Sequence, residues 1–165
     1  MRRETTIPSR SAQVCRDNYF AANIVQWRIV MSIEIRRKQG LKMAQRVRID
    51  ATELTADAAV ADGGDGAGPS PHDLYDAALG ACKALTVMWY ANRKKIPVDD
   101  VQVDVERDAS QERTGTYALT TRIRIGGPVT DLQIEELRSA AEKCPIQKLM
   151  TAVTTTIATQ VVRIT

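Results

Sequence analysis

The chain has 165 residues, a formal net charge of +3 and 44% hydrophobic residues, which suits one domain with an ordinary core. Three widely spaced cysteines, with no CxxC and a single histidine, argue against a disulfide scaffold, a structural zinc site and a Cys-His or Ser-His-Asp catalytic pair. No run of 18 apolar residues is present, so no membrane-spanning helix is expected.

The charge is uneven. Residues 1–50 carry 11 basic and 4 acidic side chains, and the remainder is net acidic. A basic leading segment is the only feature that favours nucleic acid. The acidic, aromatic-poor remainder offers no stacking platform, so no nucleic-acid partner is expected. Without an export pattern the expected location is cytoplasmic, where thiols stay reduced.

Residues 1–30 show no clean period. They are set aside as an extension outside the domain, an upstream start or an arm, with the domain at 31–165. A regular pattern begins at "SIEIRRKQGLKMAQRVRID". Ile33 and Ile35 alternate with charged residues, as do Val47 and Ile49, which predicts two strands around Gly40. "ELTAD" adds a short third strand. "DGGDGAGPSP" follows as a loop without a phosphate-binding pattern.

A long helix runs from Ser70 to about Lys95. Ser70 at the N-cap, Pro71 at N1 and Asp73 at N3 form a capping box. Pro97 ends the segment. Leu74, Ala78, Leu85 and Trp89 lie on one side of this helix, with Leu79 and Val87 well away from them. A helix apolar nearly all round is expected at the centre of a fold. Gly80 lies in a small-residue stripe with Ala77, Ala81 and Ala84, which predicts a close crossing with another helix there, including one from a second copy.

"VQVDVERD" and "YALTTRIRI" predict a hairpin across "SQERTG". Asp131 starts a second helix that stops at "CPI", "PIQKLMTAV" gives a short helical turn, and "TTTIATQVVRI" reads as a closing strand. Strands in hairpins, not alternating singly with helices, predict an α+β domain with a mainly antiparallel sheet.

Two cysteines stand at distinctive places. Cys82 lies mid-helix, where the residues alone leave open a packing or a reactive thiol. Cys144 precedes Pro145, so its sulfur is expected near a helix N-terminus, which favours a thiolate; a buried turn cysteine is the other reading.

"GGDGAGPSPHDLYDAALGACKALTVMWYANRKKIPVDDVQVDV" followed by "EELRSAAEKCPIQKLM" resembles the osmotically inducible protein C / organic hydroperoxide resistance (OsmC/Ohr) family, in its plain OsmC-like branch. The likeness runs from about residue 32 to the C-terminus. It implies an α+β fold with two central helices and an intertwined homodimer whose two chains build equivalent sites. It also implies a thiol peroxidase acting on organic hydroperoxides or hydrogen peroxide, with a dithiol or other thiol reductant and no cofactor or metal. Carried over by motif, Cys82 is the peroxidatic cysteine and Cys144 the resolving one.

The family's peroxidase branches place a glutamate where this chain has His72, beside Asp73, and take an activating arginine from the first hairpin, near Arg36 and Arg37. These four are the candidate activating residues. The alternative is a non-enzymatic, redox-responsive or small-ligand-binding dimer.

Overall fold

The structure, a computed structural model, describes residues 33–164. The proposed extension at 1–30 lies outside the described residues. The leading hairpin forms as β1 (Ile33–Arg37) and β2 (Gln45–Ile49), and β3 (Thr52–Ala56) adds to β2. The result is an antiparallel sheet in the order β1-β2-β3, in which Ile35 faces Val47 and Val47 faces Leu54.

The Gly/Asp loop is tied by an aspartate that the sequence pattern does not reveal. Asp57 is buried, and its carboxylate accepts from the N–H groups of Asp65 and Ala67, both at 3.0 Å. Those backbone donors, that of Ala67 foremost, hold its pKa below the ordinary carboxylate value. The knot delivers the chain to Ser70, where the capping box forms as predicted. Ser70 Oγ accepts from the Asp73 N–H at 3.2 Å, and the Asp73 carboxylate accepts from the Ser70 N–H at 2.8 Å.

Helix α1 (Pro71–Lys94) ends on Lys95, whose left-handed φ of 56° breaks the helix just before Ile96 and Pro97. Strands β4 (Asp100–Asp108) and β5 (Ala118–Gly126) pair antiparallel across a short 3-10 turn, as the hairpin reading requires. Helix α2 (Asp131–Ala141) starts from a second capping box, Thr130 with Gln133, legible in "TDLQ" but not read from it. Helix α3 (Pro145–Thr151) follows Cys144 directly. The class is α+β with antiparallel sheets and three helices.

The core gathers Val87 and Ala91 of α1, Ile96, and Leu137 and Ala141 of α2, with Ile123 and Ile125 of β5 against them. Helix α1 is the hub: it packs on β4 and carries α2 and α3.

Three expectations need correction. Helix α1 is not buried all round in one chain: Leu79 and Val87 are buried, but Leu85 is 70% and Trp89 61% exposed. The neighbour at Gly80 is a strand, not a helix. A Cβ there would stand 2.9 Å from Cγ2 of Val105 and 3.8 Å from Cγ1 of Val103, both on β4. Gly80→Leu is therefore expected to destabilise the fold by about 1–3 kcal/mol through overpacking, read from the urea midpoint. Finally, the closing strand does not form. Residues 153–164 lie in no strand, and Ile157, Val161 and Ile164 are each more than 80% exposed. A strand needs an edge to pair with, and this segment pairs with none among the described residues.

Candidate functional site: two thiols beneath an apolar cavity

Helix α1 brings Cys82 to a half-buried position at its middle, about three turns from either end. The α2–α3 junction brings Cys144 against it. Cys144 is completely buried as the N-cap of α3, with Pro145 in the first turn where its missing N–H costs nothing. Both thiols are free, and they stand close enough for Cys82 to raise the Cys144 pKa. Sixty-two residues of sequence separation are closed by the packing of α2 on α1.

The two sulfurs are not equivalent. Burial pushes the Cys144 thiol up, and the neighbouring Cys82 thiol pushes the same way. The N–H groups of Gln147 and Ile146, in the first turn of α3, oppose this without overcoming it. The helix N-terminus is thus where the sequence places it, but its effect on Cys144 is outweighed by loss of water. Cys144 is the buried, protonated member of the pair, and Cys82 is the member open to a ligand.

Cys82 lines a cavity of about 830 Å³. Its walls include Leu85, Trp89 and Tyr90 of α1, Leu132 of α2 and Pro145, with the polar Glu135, Glu136, Ser139 and Lys143 also on the lining. The guanidinium of Arg93 stands 5.4 Å from the Trp89 ring, a cation–π contact at the far end of this wall. The chamber is mostly apolar, a form suited to an organic ligand with its reacting atom directed at the floor.

None of the four candidate activating residues lines this cavity within one chain. Arg36 lies on β1 and pairs with Glu34, and Arg37 reaches the carbonyl of Leu41 at 3.4 Å. His72 hydrogen-bonds Glu112 at 3.0 Å on the solvent side of the first helical turn. Asp73 is held by Arg107 at 2.7 Å, and that guanidinium, with the Ser70 cap behind it, lowers its pKa to about 2.

Sequence reasoning missed two clusters around α1. Asp76 is buried, accepts from the Tyr117 hydroxyl at 2.9 Å, and pairs with Arg107 at 3.1 Å. Burial, foremost, raises the Tyr117 pKa. This network pins the first turns of α1 to β4 and to Tyr117, the residue just before β5. The i+3 step from Asp73 to Asp76 was its only trace in the sequence. The second cluster centres on Lys83, the residue after Cys82, which is buried at 5% exposure. Among the described residues no group of three His, Cys, Asp or Glu side chains could hold a metal, and no helix is long and apolar enough to cross a membrane.

Comparison with solved structures places this arrangement in a known fold. The chain is similar to an OsmC-like protein from Mycoplasma pneumoniae, at 19% identity and a TM-score of 0.61, over 74% of this chain and 88% of that one. It is similar to a Psychrobacter arcticus protein described as osmotic-stress induced and of the detoxification response, at 18% identity and a TM-score of 0.63, over 78% and 93% of the two chains. An organic hydroperoxide resistance protein from Legionella pneumophila matches at 22% identity and a TM-score of 0.54, over 74% and 91%. No curated protein matches the chain. The profile of the OsmC-like protein family matches residues 63–158, which span both cysteine motifs and more than half of the sequence. The chain belongs to the OsmC-like proteins of the OsmC/Ohr family.

Proposed function

We propose that the protein is a thiol-dependent peroxidase that reduces organic hydroperoxides or hydrogen peroxide in defence against oxidative stress. The observation that carries this reading is the pairing of Cys82, which borders a mostly apolar cavity, with a buried Cys144 near enough for Cys82 to raise its pKa. Family membership, and the likeness to the Legionella organic hydroperoxide resistance protein, point to the same redox, peroxide-related role.

The chemistry divides between the sulfurs. The Cys82 thiolate attacks the distal peroxide oxygen, the O–O bond breaks, and the leaving oxygen departs as alcohol or water after taking a proton. Cys82 is then a sulfenic acid. Cys144 loses its proton and attacks the Cys82 sulfur, an S–S bond forms, and water leaves. A small dithiol or another thiol reductant returns two electrons and restores both thiols. Because Cys82 borders the cavity and Cys144 is buried, the first attack falls to Cys82 and the second to Cys144.

A second copy of the chain belongs to this reading. The exposed Leu85 and Trp89, the exposed Ile33 and Ile35 on β1, and the unpaired segment 153–164 are all surfaces that a second copy would cover. Arg36 or Arg37 would reach Cys82 only from that copy. His72 and Asp73, engaged with Glu112 and Arg107, would act on the sulfur only through such an assembly. The division into 1–30 and a domain at 31–165, and a cytoplasmic location, are part of the same proposal. Sedimentation is expected to give a dimer. Truncation after Ala152 is expected to weaken it at least tenfold in Kd; an unchanged dimer would show that residues 153–164 are not part of the seam.

The test of the activity is direct. Reduced protein with excess dithiol is expected to consume cumene hydroperoxide far faster than free cysteine at equal thiol concentration. A rate equal to free cysteine would remove the enzymatic reading. One observation favours the second reading, a non-enzymatic, redox-responsive or small-ligand-binding dimer: the cavity is apolar and no candidate activating residue of the same chain lines it. In that case a Cys82→Ser protein retains its ligand and its cellular task.

A further inference from the structure

We infer that Lys83 is a positioning residue that clamps the Cys144 segment to the helix carrying Cys82. The inference rests on the reading of Cys82 and Cys144 as a redox pair.

Lys83 follows Cys82 in sequence, but its side chain leaves α1 on another side, towards the α2–α3 junction. It is buried, and a buried ammonium loses several kcal/mol of hydration unless it is well partnered. Among the described residues no carboxylate forms an ion pair with it. Its Nζ instead donates to Gln147 Oε1 at 2.6 Å and to the Ala141 carbonyl at 3.2 Å.

Both acceptors flank Cys144. The Ala141 carbonyl also accepts from the Cys144 N–H at 3.3 Å. Gln147 is the third residue of α3, whose N-cap is Cys144, and its N–H acts to lower the Cys144 pKa. Ala141 is the last residue of α2, so the ammonium sits at the negative end of that helix, while Gln147 lies in the first turn of α3. One cation therefore grips both sides of residues 142–146, the segment that holds the second sulfur. A methionine at 83 would fill similar space without the desolvation cost. The charge is used to fix the frame of Cys144.

Closing a disulfide needs the two sulfurs within narrow limits of distance and angle. A clamp on the Cys144 frame should thus speed the closing step and leave the first attack on Cys82 alone. Dithiobis(nitrobenzoate) separates the two without any peroxide. The Cys82 thiolate attacks its S–S bond, forms a mixed disulfide and expels one nitrothiobenzoate. Cys144, after losing its proton to water, attacks the Cys82 sulfur and expels the second. The two protein thiols lose two electrons and the reagent gains both.

The experiment follows the two releases by stopped flow in the full chain carrying Cys15→Ser. The parent is expected to release two nitrothiobenzoates, and the Cys144→Ser control one. Lys83→Met is expected to keep the first release within about threefold and to slow the second about tenfold or more, as a small misplacement of reacting atoms does. Gln147→Met, which keeps the lysine but removes one acceptor, is expected to slow the second release in the same direction and decides the matter if Lys83→Met fails to fold. A general loss of stability would not change the ratio of the two rates. A second release at the parent rate in either folded variant overturns the clamp. A single release from the parent itself would instead show that Cys82 and Cys144 do not pair, and would overturn both the redox reading and the clamp with it.

Discussion

Cys82→Ser is expected to lower hydroperoxide turnover by about a thousandfold or more, because the hydroxyl has neither the thiolate's nucleophilicity nor its access to a sulfenate. Cys144→Ser is expected to behave differently. Its first turnover should proceed, and a sulfenic acid on Cys82 should accumulate and become trappable by dimedone. The difference follows from position. Cys82 borders the cavity, whereas Cys144 is fully buried behind it with its thiol pKa raised, chiefly by that burial. Stopped-flow peroxide consumption and mass analysis after dimedone read both outcomes. Equal loss of the first turnover in the two variants would contradict the division of roles.

Leu137→Ala is expected to cost about 2–5 kcal/mol, the usual range for a fully buried leucine. Leu137 is completely buried, and it carries the contact of α2 with Val87 and Ala91 of α1. Single domains are stable by about 5–15 kcal/mol, so this one truncation would remove a large share of the total. The effect should reach the thiols as well. Helix α2 has packing contacts with α1 and leads directly to Cys144, so loosening it loosens the sulfur pair. The urea midpoint should fall at unchanged slope, and the yield of the Cys82–Cys144 disulfide should fall with it. A midpoint within about 0.5 kcal/mol of the parent would show that the α1–α2 seam is not where the core is built.

Much of the fold was legible because local signals agreed with tertiary packing. Alternation at Ile33, Ile35, Val47 and Ile49 marked the first hairpin, and Ser70, Pro71 and Asp73 marked the start of α1. The α+β class followed from strands arriving in pairs. What failed were readings that need a partner surface. "TTTIATQVVRI" has strand composition, but composition does not supply an edge, and one chain leaves it unpaired. The all-round apolar character of α1 suggested burial, yet Leu85 and Trp89 face outward. Both failures fall on the surfaces assigned above to a second copy. Gly80 was correctly singled out as a place of close approach, but the approaching element was β4. Periodicity cannot tell a helix ridge from a pair of valines.

The site was legible only in part. No spacing rule brings residue 82 to residue 144; the motifs did so by resemblance, and the packing of α2 on α1 supplies the physical reason. Lys83 escaped notice because a lysine beside a cysteine reads as surface, and only its burial and two acceptors reveal it. Asp57 escaped because a loop aspartate is ordinary until its backbone donors are counted. Of the two readings of Cys144, the buried turn cysteine is the one the structure matches, because loss of water outweighs the helix end.

The most direct measurement adds one equivalent of cumene hydroperoxide to the reduced, full-length protein under anaerobic conditions and maps its thiols by mass spectrometry after alkylation and digestion. A peptide joining Cys82 to Cys144, lighter by two hydrogens and formed within the time of peroxide loss, is the expected product. Peroxide left unconsumed with both cysteines alkylated, or oxidation that reaches the third cysteine, Cys15, before Cys82, would contradict a peroxidatic Cys82 at this cavity with Cys144 as its partner.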